Sequence, residues 1–273
     1  MALRNPPCSP SFRGGELLSS IIVCLAGALL APAALADSDQ GQTMAQIAGR
    51  EFESVLPAAS GQSRVRVRSF KLETTPVTNA QFSAFVRKHP QWRRDRVSGL
   101  FADDEYLAHW SSPAAPNLNE MNQPVTRVSW YAARAYCEAR GARLPTWYEW
   151  EWAAAASETQ LDARSNPEWK QQILAWYSKP GSAALADVGS SPPNVHGIRD
   201  LHGLVWEWVE DYNGMLVSAD NRQQSEPDAT RFCGPGALTM EQKEHYAILM
   251  RIAMLSSLKA NYTTATMGFR CAQ

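Results

Sequence analysis

The alternation of apolar and polar positions marks out a few short elements separated by long irregular stretches. Arg64 to Arg68 alternates Arg and Val, the period of a half-buried strand. Phe70 to Val77 continues extended as far as Pro76, and Thr78-Asn79-Ala80-Gln81 reads as a capping box opening a helix. That helix places Phe82 and Phe85 on one side and ends near His89-Pro90. Gln91 to Gln123 carries no sustained period, and its aromatic residues Phe101, Tyr106 and Trp110 beside His109 predict an ordered loop. A second helix is expected from about Ser129 to Arg140, with Ala133 and Cys137 on a buried face and Gly141 as its stop. Thr146 to Glu149 forms another capping box, opening a helix through Ala156 whose core stripe holds Trp147, Trp150 and Ala154.

Beyond it, Ser157 to Ser191 is polar and punctuated by Pro and Gly, with Trp169 and Trp176 as packing points. The centre of the chain is Ile198 to Asp211, reading IRDLHGLVWEWVED, a Gly turn leading into a short tryptophan-bearing strand. A polar loop follows to Arg231, then the turn Phe232-Cys233-Gly234-Pro235-Gly236. Tyr246, Met250 and Met254 fall at helical spacing, which short strands would also accommodate. The terminal TMGFRCA reads as a strand whose cysteine pairs with an earlier one.

The first 36 residues read differently. Arg4 and Arg13 precede an apolar run from Leu17 to Leu30, and Ala34-Leu35-Ala36 offers a small-residue cleavage site before Asp37. This is the pattern of a secretory signal and predicts a periplasmic protein, with membrane contact only through the leader if it is retained. Residues 37–63 then form a lead-in to one domain over 64–273. The whole chain carries a net charge of -1, and losing the leader with its two arginines and one glutamate makes this -2. Such a near-neutral balance argues against nucleic acid as a partner. All 10 tryptophans lie beyond the leader, which suits either a ring-filled core or a recognition surface. Of the 5 cysteines, Cys8 and Cys24 leave with the leader, so Cys137, Cys233 and Cys271 imply one disulfide and one further thiol in an oxidising compartment.

In the central stretch, Asp200 and Glu207 bracket Gly203 and Val205. Two carboxylates with intervening backbone carbonyls are the oxygen donors a calcium ion takes. The same residues equally read as an ordinary Gly turn before a strand of buried tryptophans.

Several motifs in order resemble the formylglycine-generating enzyme family, also called the sulfatase-modifying-factor domain. They are ETTPVTNAQF at Glu73–Phe82, PVTRVSWYAARAYC, RLPTWYEWEWAA, DLHGLVWEW and the terminal GFRCA. The resemblance spans about Arg64 to Gln273. It implies an α+β domain related to the C-type lectin-like fold, with few helices, short strands and long ordered loops. It also implies a calcium site at Asp200, Gly203, Val205 and Glu207, and a disulfide between Cys137 and Cys271. Active members bind copper through two cysteines five residues apart and oxidise a substrate cysteine. Here those positions fall on Gln242 and Ala247, neither a soft ligand, so a copper cofactor and formylglycine generation by that route are not expected. Trp206 and Tyr246 match aromatic positions lining the family's cleft, and Lys243 stands where the family has an arginine.

The FCGxGA and SSLKxxYT runs are most similar to cysteine-less members, nearest the NirV type associated with copper nitrite reductase, with PvdO a second such member. The expected role is therefore an exported accessory or maturation factor that holds a peptide or protein client of a periplasmic metalloenzyme. Three rival readings remain. One is an enzyme of changed chemistry using His245, Tyr246, Lys243 and Cys233 in the same cleft. Another is a Cu(I)-handling protein using Met250 and Met254, or Met240 with His245. The last is a lectin-like binding module.

Overall fold

The computed structural model describes residues 43–56, 64–178, 184–213 and 246–273, with the side chains of residues 177 and 246–249 outside that description. The described chain is α+β, with three two-stranded sheets. Strand β1 (Met44–Ile47) pairs antiparallel with β4 (Phe70–Glu73), and β2 (Arg50–Glu53) pairs antiparallel with β3 (Arg64–Val67). A parallel pair joins β5 (Trp206–Glu207) to β6 (Met267–Gly268). The two strands before residue 64 were not anticipated, and they are integral to the fold: Ile47 and Phe52 are buried in the common core.

The capping predictions meet their helices. Thr78 accepts from the Gln81 amide and Gln81 returns to the Thr78 backbone at the start of α1 (Asn79–Lys88). Ser129 caps α2 (Trp130–Glu138), and Thr146 with Glu149 opens α3 (Trp147–Ala154). A further helix, α4 (Pro167–Tyr177), begins where Asn166 accepts from two backbone N–H groups and Pro167 sits at its first turn. The sequence reading of 157–191 marks only Trp169 and Trp176 as packing points and passes over Asn166-Pro167 and the buried Ile173, which signal the helix start and its inner stripe. The last helix is α5 (Tyr246–Ser257).

The core is built from rings. Phe82 stacks on Tyr136 at 5.8 Å and meets Phe269 edge-on at 6.0 Å. Buried indoles keep their N–H groups satisfied: Trp208 donates to the Val128 carbonyl, Trp110 to Asn79 and Trp152 to the Ala48 carbonyl. Cys137 on α2 is bonded to Cys271 across a sequence separation of 134 residues. Lys71 and Gln273 exchange backbone hydrogen bonds, and Ala272 bridges to both Leu72 and Arg143, so the 271–273 segment lies between β4 and the approach to α3.

Candidate functional site

Residues 194–211 run along α3 from its C-terminal end to its N-terminal end and hold it at each. At the C-terminal end, the Asn194 amide donates to the Ala153 carbonyl, and a His202 ring nitrogen lies 2.8 Å from the Ala154 carbonyl. Midway, the Trp150 indole donates to Glu207. At the N-terminal end, Asp211 accepts from the Trp147 amide, a cap in addition to the capping box. Burial raises the Asp211 carboxyl above its ordinary range.

Asp200 adopts a left-handed conformation (φ 60), which a short polar side chain tolerates. Its carboxylate accepts from the backbone N–H groups of Gly189 and Ser191, and its own N–H donates to the Ser191 hydroxyl. Gly203 (φ 84) completes the turn. A Cβ built there would stand 2.8 Å from Cγ of Trp176, so glycine serves both the backbone angle and the close approach of α4.

Glu207 is fully buried, and so is Arg270. The guanidinium grips both oxygens of the carboxylate, with Nη2 at 2.8 Å and Nε at 3.0 Å from Oε1 and Nε also at 3.0 Å from Oε2. The same Nη2 donates to the Arg199 carbonyl, and Nη1 donates to the Glu73 carbonyl. Arg251 lies 3.5 Å over the Trp150 ring and donates to the Glu207 carbonyl.

These contacts decide the fit to calcium at Asp200, Gly203, Val205 and Glu207. Asp200 and Gly203 belong to the turn, Val205 leads into β5 and Glu207 lies on it; N–H donors already bond to both carboxylates, and Arg270 supplies the positive charge beside Glu207. A carboxylate has about four acceptor positions, and those of Glu207 are largely taken. As placed, the set does not fit a hard cation, and among the described residues no group of three or more His, Cys, Asp or Glu does so. Arg270 is the residue of this cluster that sequence reading missed. Its only sequence signal was a charged residue between Phe269 and Cys271 in an otherwise apolar terminal strand.

Of the other expected site residues, Trp206 is half-buried, next to Glu207 on β5. Lys243, His245 and Cys233 lie outside the described residues, as does the side chain of Tyr246, the first residue of α5. Met250 is exposed and Met254 half-buried on the same helix. With Cys137 and Cys271 bonded to each other, the remaining cysteines are Cys8, Cys24 and Cys233, and no two of these are five residues apart. A paired-thiolate copper centre of that spacing therefore does not fit this chain.

Beside the central stretch is a cleft of about 320 Å³, bounded by α4, the 156–159 turn and residues 191–202. His202 stacks on Trp176 at 6.0 Å and meets Trp169 edge-on at 5.6 Å and Trp150 at 5.8 Å. Enclosure among these rings brings the His202 pKa down to about 4, keeping the imidazole neutral at physiological pH.

Comparison with known proteins places this architecture. The chain is 32% identical over 214 residues to inactive C-alpha-formylglycine-generating enzyme 2 of Bos taurus, covering 62% of this chain and 71% of that protein. It is 29% identical over 250 residues to the formylglycine-generating enzyme of Streptomyces coelicolor, covering 76% of this chain and 79% of that protein. Among solved structures, PvdO from Pseudomonas aeruginosa superposes with a TM-score of 0.45 at 16% identity, over 85% of this chain and 94% of that one. The sequence profile of the sulfatase-modifying factor enzyme 1-like domain matches residues 31–273, which takes in every element described above. The family match thus takes in the helix-clasping stretch, its buried arginine and both bonded cysteines, and the chain belongs to the sulfatase-modifying factor enzyme 1-like family.

Proposed function

We propose that this protein is an exported accessory or maturation factor of the NirV type, holding a peptide or protein client of a periplasmic metalloenzyme such as copper nitrite reductase. The observation that carries the reading is the cysteine inventory. The Cys137–Cys271 bond removes two of the three thiols beyond the leader, and Cys233 alone cannot supply a pair of thiolate ligands. A family scaffold whose described residues form a packed core, but which lacks the redox pair, suits binding better than oxygen activation. That a relative is named an inactive enzyme agrees with this. The leader supports export, and the half-buried Trp206 supports an aromatic surface for an extended client.

The test is co-production of copper nitrite reductase in an exporting host with and without this chain. The reading expects reductase polypeptide at the same level in both, with copper content and activity reduced when the chain is missing. Equal copper loading and equal activity would refute it. In parallel, a cysteine-containing sulfatase peptide incubated with the purified protein, copper and oxygen is expected to remain unoxidised.

A further inference from the structure

We propose that the cleft between α4 and the 191–202 segment is a binding site for an alkylammonium group. It uses residues distinct from Trp206 and Tyr246 and holds whether or not the accessory reading does. Three independent features point to a cation.

The first is the wall. Trp169 and Trp176, both half-buried, present ring surface to the cavity from one face of α4, and His202 fills the corner between them. Ring faces carry negative potential and attract ammonium groups, indole most strongly. The position of Trp176 is fixed, because it rests against Gly203, where a larger residue would displace it. The His202 ring, neutral at physiological pH, adds no opposing charge.

The second feature is the rim. Glu158 and Glu168 line the opening and are exposed, while Asp200 lies at the base with its carboxylate held by backbone N–H groups. Among the described residues lining the cleft, none is lysine or arginine, whereas three are carboxylates. Although the Arg199 guanidinium stands behind this wall on the Ser191 carbonyl, the charge on the lining itself is negative and favours a cation over an anion. The third feature is size: about 320 Å³ suits an amine-bearing fragment and is small for an oligosaccharide.

An alkylammonium can come as a free amine or as a lysine side chain, and the probes separate these sources. Isothermal titration of the purified chain uses choline, butylammonium and N-acetyl-lysinamide, with 3,3-dimethyl-1-butanol as the neutral isostere of choline and cellobiose as a sugar control. Choline is expected to bind about tenfold tighter than its isostere, the signature of charge against rings. Tighter binding of N-acetyl-lysinamide than of butylammonium would assign the site to a peptide side chain, and the reverse order to a free amine. Trp176→Leu is expected to lose most of the ammonium affinity; because it also alters packing on Gly203, the paired substitution Glu158→Gln with Glu168→Gln serves as the second variant. Both carboxylates are exposed, so the fold is retained, and a several-fold loss of ammonium affinity is expected. Equal binding of choline and its isostere, preference for cellobiose, no saturation by any ammonium probe at millimolar concentration, or an unchanged affinity in the paired variant would each overturn the proposal.

Discussion

Arg270 and Glu207 form an ion pair with neither side chain exposed, 63 residues apart in sequence and next to the disulfide at Cys271. Taking two charges out of water costs several kcal/mol per ion, which is offset only when geometry is good and the remaining donors are satisfied. Here the guanidinium is shared with the Arg199 and Glu73 carbonyls, and the carboxylate takes a further hydrogen bond from Trp150.

Removing one partner leaves the other charged and buried. Arg270→Met is expected to lose about 3–5 kcal/mol of unfolding free energy, read from denaturant titration. Combining it with Glu207→Leu is expected to cost less than the sum of the two single changes, since the stranded charge is then gone. A loss below 1 kcal/mol for Arg270→Met would show that the pair is not the anchor the contacts indicate.

Calcium chelation is a separate test of the same turn. With Arg270 occupying Glu207 and backbone N–H groups occupying Asp200, the unfolding midpoint is expected to be unchanged between excess chelator and millimolar calcium. A calcium-dependent rise would require the guanidinium to give way to the ion.

Glu73 makes stability depend on pH. Burial pushes its carboxyl up to about 7, against the opposing effects of the Cys271 N–H and of Arg140 at 3.5 Å. Its folded pKa exceeds its unfolded value, so the native state binds the extra proton. The resulting stability is complete below about 4.5 and is lost as pH rises through about 7. His202 works in the opposite sense: its folded pKa of about 4 lies below the unfolded 6.5, so its contribution is lost as pH falls through that window. Glu73→Gln is therefore expected to flatten the decline toward pH 8 while leaving the acid-side fall in place. Chemical denaturation of wild type and variant across pH 4 to 8 checks this.

The bond from Cys137 to Cys271 closes a loop of 134 residues. In the chain-entropy account this restricts the unfolded state by about 4–5 kcal/mol. Unfolding with and without reductant, or comparison with the Cys137→Ser and Cys271→Ser double variant, is expected to show a loss of that order.

Gly203→Ala tests both reasons for glycine at once. A left-handed backbone and a 2.8 Å approach to Trp176 predict destabilisation by about 1–3 kcal/mol and a shift in tryptophan emission as Trp176 is displaced.

What the sequence disclosed, it disclosed locally. Thr78 with Gln81 and Thr146 with Glu149 state their helix starts in four residues, because a capping box is a local hydrogen-bond arrangement. The Arg-Val alternation likewise marks β3. The elements missed depend on distant partners. Strands β1 and β2 are defined by pairing with β4 and β3 rather than by strong periodicity. Helix α4 is the exception, for Asn166-Pro167 at its start and Trp169, Ile173 and Trp176 at helical spacing are a local signature that went unread among polar neighbours. In the central stretch, the sequence offered Asp200 and Glu207 as one pair of acids, whereas each carboxylate has its own partners, the Gly189 and Ser191 N–H groups for the first and Trp150 with Arg270 for the second. Composition could not say that the positive charge facing Glu207 comes from residue 270, because that contact exists only once the chain has folded.

The clasp on α3 has a consequence for the order in which this region assembles. Its anchoring atoms belong to residues 147–154, 194–211 and 270, and each of these bonds joins residues at least 41 positions apart. Closing such long loops costs chain entropy before any contact is gained, so the helix can start at its own capping box but is seated only when the later stretch and the terminal arginine arrive. One end of this helix is thus written locally and its resting place is decided last.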